Sequence, residues 1–190
     1  MASKKEMRKN SLYASFDESN HNNHGNDILV SVISIFPEDI SYERFGRRDY
    51  LGTRNFLDKK GRDYRFTTFS NISELEKSKY HLYLSSIILI KDFLNNNRVK
   101  FSELNILFDG PPKNKWIKIL ENELDMFKKI NISHYWGNKK KRRYPLLLQM
   151  ADVTASDLYR GLCSEILNSK KFVKFSLEEI LRLKKRFDTI

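Results

Sequence analysis

Three acidic residues occupy places where this chain otherwise favours apolar side chains. Asp17 closes the run Leu12-Tyr-Ala-Ser-Phe-Asp17 and is followed by Glu18; Asp109 closes Leu104-Asn-Ile-Leu-Phe-Asp109 and is followed by Gly110. Asp152 lies inside Leu146-Leu-Leu-Gln-Met-Ala-Asp152-Val, which reads as a buried helix with only Gln149 and Ser156 sharing the aspartate's face. A carboxylate among apolar neighbours is costly unless it is paired or bound to a cation. Three in one chain point to a divalent-metal site. Each has a plainer reading as well: Asp17 and Glu18 as turn residues after a strand, Asp109-Gly110 as a turn dipeptide, Asp152 as the buried partner of an arginine.

Other chemistries find less support. The four histidines, at positions 21, 24, 81 and 134, have no close pair with zinc-ligand neighbours. No Ser-His-Asp or Cys-His constellation supports a covalent nucleophile. Cys163 is the single cysteine, so an intrachain disulfide is impossible, and on its apolar helix it reads as packing. Residues 1–10 form a basic, polar tail without the apolar core of a signal peptide, and runs such as Ile87 to Ile90 are too short to span a bilayer. A cytoplasmic, membrane-free protein is expected. The net charge of +11 makes nucleic acid the first partner to consider.

The elements that must position the acids follow from periodicity. With 190 residues, 40% of them hydrophobic, the chain is long enough for one folded domain, expected over 11–190. Ser11 to Ser19 and Ile28 to Phe36 read as strands separated by an Asn/His/Gly turn, and Pro37 stops the second. A polar insertion spans about 38–62, and Tyr64 to Phe69 forms a third strand. Ser73 opens a helix with Glu76 completing a capping box; Leu75, Leu82, Leu89 and Phe93 mark its apolar stripe, and Asn95 to Asn97 end it. Asn105 to Phe108 reads as a strand. A helix carrying Trp116, Leu120, Leu124 and Phe127 comes next, then a strand from Ile130 to Trp136. Pro145 opens a helix reaching about Leu167. Ser176 caps a last one bearing Leu177, Ile180, Leu181 and Phe187.

The fold class is therefore α/β: a five-stranded mixed sheet in the order β-β-β-α-β-α-β-α, flanked by helices and followed by a C-terminal helix. That order resembles the ribonuclease H-like fold. Phe16-Asp17-Glu18-Ser19-Asn20 resembles the Asp-Glu-Ser-Gly signature of the domain-of-unknown-function family numbered 3800, with Asn20 at the usual glycine. Leu148-Gln149-Met150-Ala151-Asp152 is similar to that family's Leu-Gln-Leu-Ala-Asp motif. The resemblance implies that the first and fourth strands lie side by side at the sheet centre. It also implies that their ends meet the helix after the fifth strand, bringing Asp17, Asp109 and Asp152 together.

A metal-dependent nuclease is the activity expected on these grounds, with Mg²⁺ or Mn²⁺ as cofactor. Two ions about 3.5–4 Å apart would activate water and stabilise the leaving oxygen of a phosphodiester in DNA or RNA. Asp17 would bridge both, with Asp109 and Asp152 on either side. Glu18 is the expected fourth carboxylate if the strand ends or bulges at Asp17, since neighbours on a regular strand face opposite ways; Glu74 and Glu76 are the alternatives. Two basic stretches are expected to meet phosphates. One is Lys139, Lys140, Lys141, Arg142 and Arg143, just before the Asp152 helix. The other holds Arg47 and Arg48 among Tyr42, Arg44, Phe45, Tyr50, Arg54 and Phe56, where a helix packing its aromatics onto the sheet is the plainer reading. The rival activities are a non-catalytic nucleic-acid-binding module of the same fold and a transposase- or integrase-like strand transferase.

Overall fold

The computed structural model describes residues 11–19, 28–41, 53–59, 61–68, 80–97, 99–135, 144–160 and 168–189, with the side chains of 18–19 and 53–55 outside that description. Glu74, Glu76, Arg47, Arg48, Cys163 and the run Lys139 to Arg143 lie outside the described residues.

The strands are β1 (Ser11–Ser19), β2 (Ile28–Ser34), β3 (Asp63–Thr68), β4 (Glu103–Asp109) and β5 (Lys129–Tyr135). They form one mixed sheet in the order β3-β2-β1-β4-β5. β1 runs antiparallel to β2 and parallel to β4; β2–β3 is antiparallel and β4–β5 parallel. The first and fourth strands are thus neighbours at the centre, as expected. The helices are α1 (Thr53–Lys59), α2 (His81–Asn96), α3 (Asn114–Glu123), α4 (Leu146–Arg160) and α5 (Leu177–Asp188), and a 3-10 helix spans Pro37–Ile40. No helix among the described residues is long and apolar enough to cross a membrane.

Strand alternation divides the core into two layers. Leu12, Ala14 and Phe16 of β1, with Leu104, Ile106 and Phe108 of β4, pack against α2, α3 and α5. Tyr13 of β1, Val30 and Val32 of β2, and Leu107 of β4 pack against α4 and Leu57 of α1. The central turns of α2 are β-branched at Ile87, Ile88 and Ile90, residues with a bias toward strand. Burial of Leu84, Ile87 and Ile90 against the sheet outweighs that preference, which amounts to only tenths of a kcal/mol per residue.

Three details refine the sequence expectation. The insertion near 38–62 is partly structural: Leu57 is fully buried and Phe56 packs beside it, so the plainer reading holds for that aromatic. Asp39, with no exposed surface, is held by the Arg62 guanidinium and by the Ser34 hydroxyl at 2.5 Å. On α5, Leu177 and Leu181 are exposed, and Leu183 joins Ile180 and Phe187 in the core.

Ser176 does cap α5, accepting a hydrogen bond from the Glu179 amide at 3.1 Å. The helix is locked further along by Glu123 of α3, which is buried yet meets three cations. Arg182 donates two hydrogen bonds to it at 2.7 and 2.9 Å, Lys91 of α2 one at 2.8 Å, and Arg186 a further one. The Arg182 hydrogen bonds, the largest cause, and Lys91 hold the Glu123 carboxyl down at about 2. A depressed carboxylate stabilises the fold above its unfolded value and loses that contribution as pH falls toward the folded one. Unfolding free energy should therefore drop between about pH 4.5 and 2 in wild type and much less in Glu123→Gln. At neutral pH that variant should lose about 2 kcal/mol, because the partner cations can still reach water. Urea denaturation as a function of pH checks both.

Candidate functional site

The β1–β4 ladder runs from Ser11 opposite Glu103 to Phe16 opposite Phe108 without a change of offset. Asp17 and Asp109 are the next residues on the two strands. They end adjacent parallel strands at the same level, where neighbouring backbones lie about 4.8 Å apart. Both also share the parity of the α4-facing residues: Ser15, two before Asp17, donates its hydroxyl to the Leu147 carbonyl of α4 at 2.8 Å, and Leu107 lies in the α4-side core. The two carboxylates therefore project from one face at one edge of the sheet. The strand order reverses between β1 and β4, and ligands in open α/β sheets gather beyond the carboxyl ends of strands at such a switch point.

α4 supplies the third side. A cavity of about 180 Å³ is lined by Asp17, Asp109, Tyr144, Leu148, Gln149 and Asp152. The structure thus brings together the three aspartates singled out by sequence, drawn from three elements. A larger cavity of about 770 Å³ opens at the other end of β4, between Val99, Phe101, Met126 and Phe127, and has no acidic residue in its lining.

Burial divides the acids unevenly. Asp17 is 9% exposed, Asp109 is half-buried and Asp152 is exposed. The expectation of a buried Asp152 is corrected here. Leu147, Leu148, Met150, Ala151, Val153, Thr154, Ala155 and Leu158 cover the inward side of α4, and the line through Gln149, Asp152 and Ser156 faces the cavity and solvent. Among the described residues Asp152 has no ion pair, so the buried-arginine reading falls with its burial. The strand end or bulge that Glu18 requires is also absent: β1 pairs continuously with β2 through Asp17–Val30, Glu18–Leu29 and Ser19–Ile28.

Backbone hydrogen bonds hold the cavity walls. The Leu146 amide, opening α4, donates to the Ser41 carbonyl at 2.8 Å, and Gln149 Nε2 donates to the Tyr144 carbonyl at 2.8 Å. Sequence reasoning passed over Tyr144 and treated Gln149 only as part of a motif, because a single tyrosine or amide has no signal until the fold places it. On the other wall, the Gly110 amide donates to the Tyr135 carbonyl at 2.8 Å and the Gly110 carbonyl accepts from His134 Nδ1 at 3.2 Å. A carbonyl can only accept, so Nδ1 carries the proton of the neutral ring. Burial holds the imidazole below its usual value, partly offset by this bond. His134 stacks on Phe108 with 5.3 Å between centroids, on the face away from α4, so it supports the turn after Asp109 without lining the cavity.

A hard divalent cation takes oxygen ligands, and three carboxylates around one small cavity fit that chemistry. No group of three or more His, Cys, Asp or Glu among the described residues is gathered tightly enough to grip an ion unaided.

Gly110 turns the chain away directly after Asp109 at φ +123°, and a Cβ there would meet nothing within 4 Å. The cost of a side chain is thus in the backbone. Gly110→Ala should lose about 1–3 kcal/mol in chemical denaturation. Gly61→Asn should lose less, since φ +68° at Gly61 is ordinary left-handed geometry that asparagine tolerates.

No protein-family model matches the chain, and no curated protein does. Among solved structures, it is similar to a chain of the PCNA–RNase HII complex from Archaeoglobus fulgidus, with a TM-score of 0.51 and 10% identity over 94% of this chain and 89% of that one. Ribonuclease H2 from Pyrococcus horikoshii OT3 aligns with a TM-score of 0.47 and 13% identity over 94% of this chain and 100% of that one. Identities this low speak to fold alone. With its strand order, the chain has the ribonuclease H-like fold.

Proposed function

We propose that this chain is a metal-dependent nuclease that hydrolyses phosphodiester bonds in DNA or RNA, with Asp17, Asp109 and Asp152 as the residues that hold Mg²⁺ or Mn²⁺. One observation carries the reading: three carboxylates from β1, β4 and α4 line a single small cavity at the edge of a ribonuclease H-like sheet. The Asp-Glu-Ser and Leu-Gln-x-Ala-Asp motifs support placing the chain with the family numbered 3800. The structural relatives above are ribonucleases in name, and a nucleic-acid substrate agrees with a net charge of +11.

Each side chain has a defined task in this reading. Asp17, buried on the central strand, is the residue assigned to serve two ions. Asp109 is fixed by the Gly110 turn, and Asp152, on the open rim, is the acid best placed to adjust as substrate arrives. Leu148 and the ring of Tyr144 form the low-dielectric wall that strengthens charge interactions inside the cavity. Metal bound there supplies an activated water and charge neutralisation at the leaving oxygen. The fourth carboxylate is left open, because Glu18 continues a regular ladder. A cytoplasmic location accompanies this reading.

The non-catalytic module is the second reading, favoured by the absence of a closed ligand group among the described residues. Titration calorimetry with Mn²⁺ separates the two. Wild type should bind Mn²⁺, and Asp152→Asn and Asp17→Asn should each weaken binding at least tenfold, with cleavage of nucleic acid lost in both. Undiminished binding in both variants, or none in wild type even with nucleic acid present, would leave the module.

A further inference from the structure

Several described cations are matched to acids: Arg62 to Asp39, Arg65 to Asp63 and Asp92, Lys129 to Glu103, Lys171 to Asp63, and the trio around Glu123. The segment that leaves the candidate cavity carries three in close succession that are not. Lys113, Lys115 and Lys118 are all exposed and have no ion pair among the described residues, and no acidic residue occurs between Asp109 and Glu121.

The dipole of α3 does not favour these lysines. α5 follows the macrodipole rule, with Glu178 and Glu179 in its first turn and Lys185 and Arg186 in its last. α3 reverses it. Lys113 is its N-cap residue and makes no side-chain cap, Lys115 lies in the first turn, and no acid accompanies them. Lys115 and Lys118 are also neighbours at i, i+3, a repulsive pairing of like charges. An anion at this end of α3 would relieve both penalties at once.

Lys113 is tethered near the cavity, at the start of a helix on the sheet face opposite α4. Four residue steps, through Gly110, Pro111 and Pro112, join Asp109 to Lys113, at most about 14 Å. Pro111 and Pro112 stiffen the connection, and the Lys113 amide donates to the Tyr83 hydroxyl at 3.2 Å. Lys115 Nζ sits 5.3 Å from the ring centroid of buried Trp116. Trp116, Ile119 and Leu120 fix the inward face of α3, so Lys115 and Lys118 share the outward one, about 5 Å apart along the axis.

We propose that Lys113, Lys115 and Lys118 form a phosphate-binding strip that carries a nucleic-acid backbone past the acid cavity on the α3 side. Naming the polyanion as nucleic acid rests on the nuclease reading; the strip itself does not depend on metal. Such contacts give affinity and register with little sequence preference, and their signature is salt dependence.

The test uses the full chain in EDTA with fluorescent duplex DNA and an RNA–DNA hybrid as probes, titrated over a range of salt. Lys113→Gln/Lys115→Gln/Lys118→Gln should bind both roughly tenfold more weakly near 0.1 M salt, and its slope of log affinity against log salt should fall by about two to three. Its Tm should equal or exceed that of wild type. The control Lys100→Gln/Lys128→Gln/Lys185→Gln removes equal charge from exposed lysines elsewhere and should keep the wild-type slope. Wild-type behaviour of the strip variant, equal losses in the control, or no oligonucleotide binding by wild type would each overturn the strip. Because no metal is present, failure of Mn²⁺ binding would sink the nuclease reading and leave the strip standing.

Discussion

The parallel pairing of β1 with β4 is the constraint from which the rest follows. Its constant offset delivers Asp17 and Asp109 to the same level at the end of the sheet, on the same face. Like charges side by side on neighbouring strands oppose folding. One of the two is also 9% exposed, so water screens it poorly. A sheet built for stability alone would place a hydroxyl or an apolar residue there, as it does at Ser15 and Leu107. A cation in the cavity would offset that repulsion, which is the physical basis for reading the cavity as a cation site.

α4 has to meet that edge at the right height, and polar contacts set the height more sharply than apolar burial can. Leu147, Met150 and Ala151 would pack against β1 and β2 at several small displacements of the helix. The Ser15 hydroxyl on the Leu147 carbonyl and the Leu146 amide on the Ser41 carbonyl select one of them. The second bond reaches into the segment that sequence reading treated as an insertion. There Asp39, wholly buried and gripped by Arg62 and Ser34, fixes the turn that presents Ser41. The insertion is thus part of the frame that positions Gln149 and Asp152.

Stability and charge are distributed unequally between the helical layer around α5 and the cavity end of the sheet. On the α2–α3–α5 face a single buried carboxylate, Glu123, gathers three cations and ties the C-terminal helix to the core, and the charges of α5 follow its dipole. At the cavity end acids stand beside acids, and the lysines of α3 stand against their dipole. Unfavourable local electrostatics concentrates where a polyanion and its counter-cation would meet.

Much of this was legible in the sequence because it depends on local pattern. Period-two alternation located β1 to its last residue, Ser176 located the start of α5, and Gly110-Pro111-Pro112 located the end of β4. Three aspartates at the ends or within apolar runs marked the candidate cavity, because a charge in such a run has few local explanations. Exposure was not legible: Asp152 sits among apolar neighbours in sequence, but a helix laid across a sheet edge leaves one line of residues facing out, and only packing decides which line. The same limit hid Tyr144, the role of Ser41 and the three cations on Glu123. Each depends on contacts between residues far apart in the chain, on angles set by the whole sheet. The sequence by itself determined which segments are strands and helices and which residue types could do chemistry, since propensity and periodicity act over a few residues. The tertiary structure alone decided which of those residues share a cavity and how much water reaches them, since that depends on strand order, register and the height of one helix.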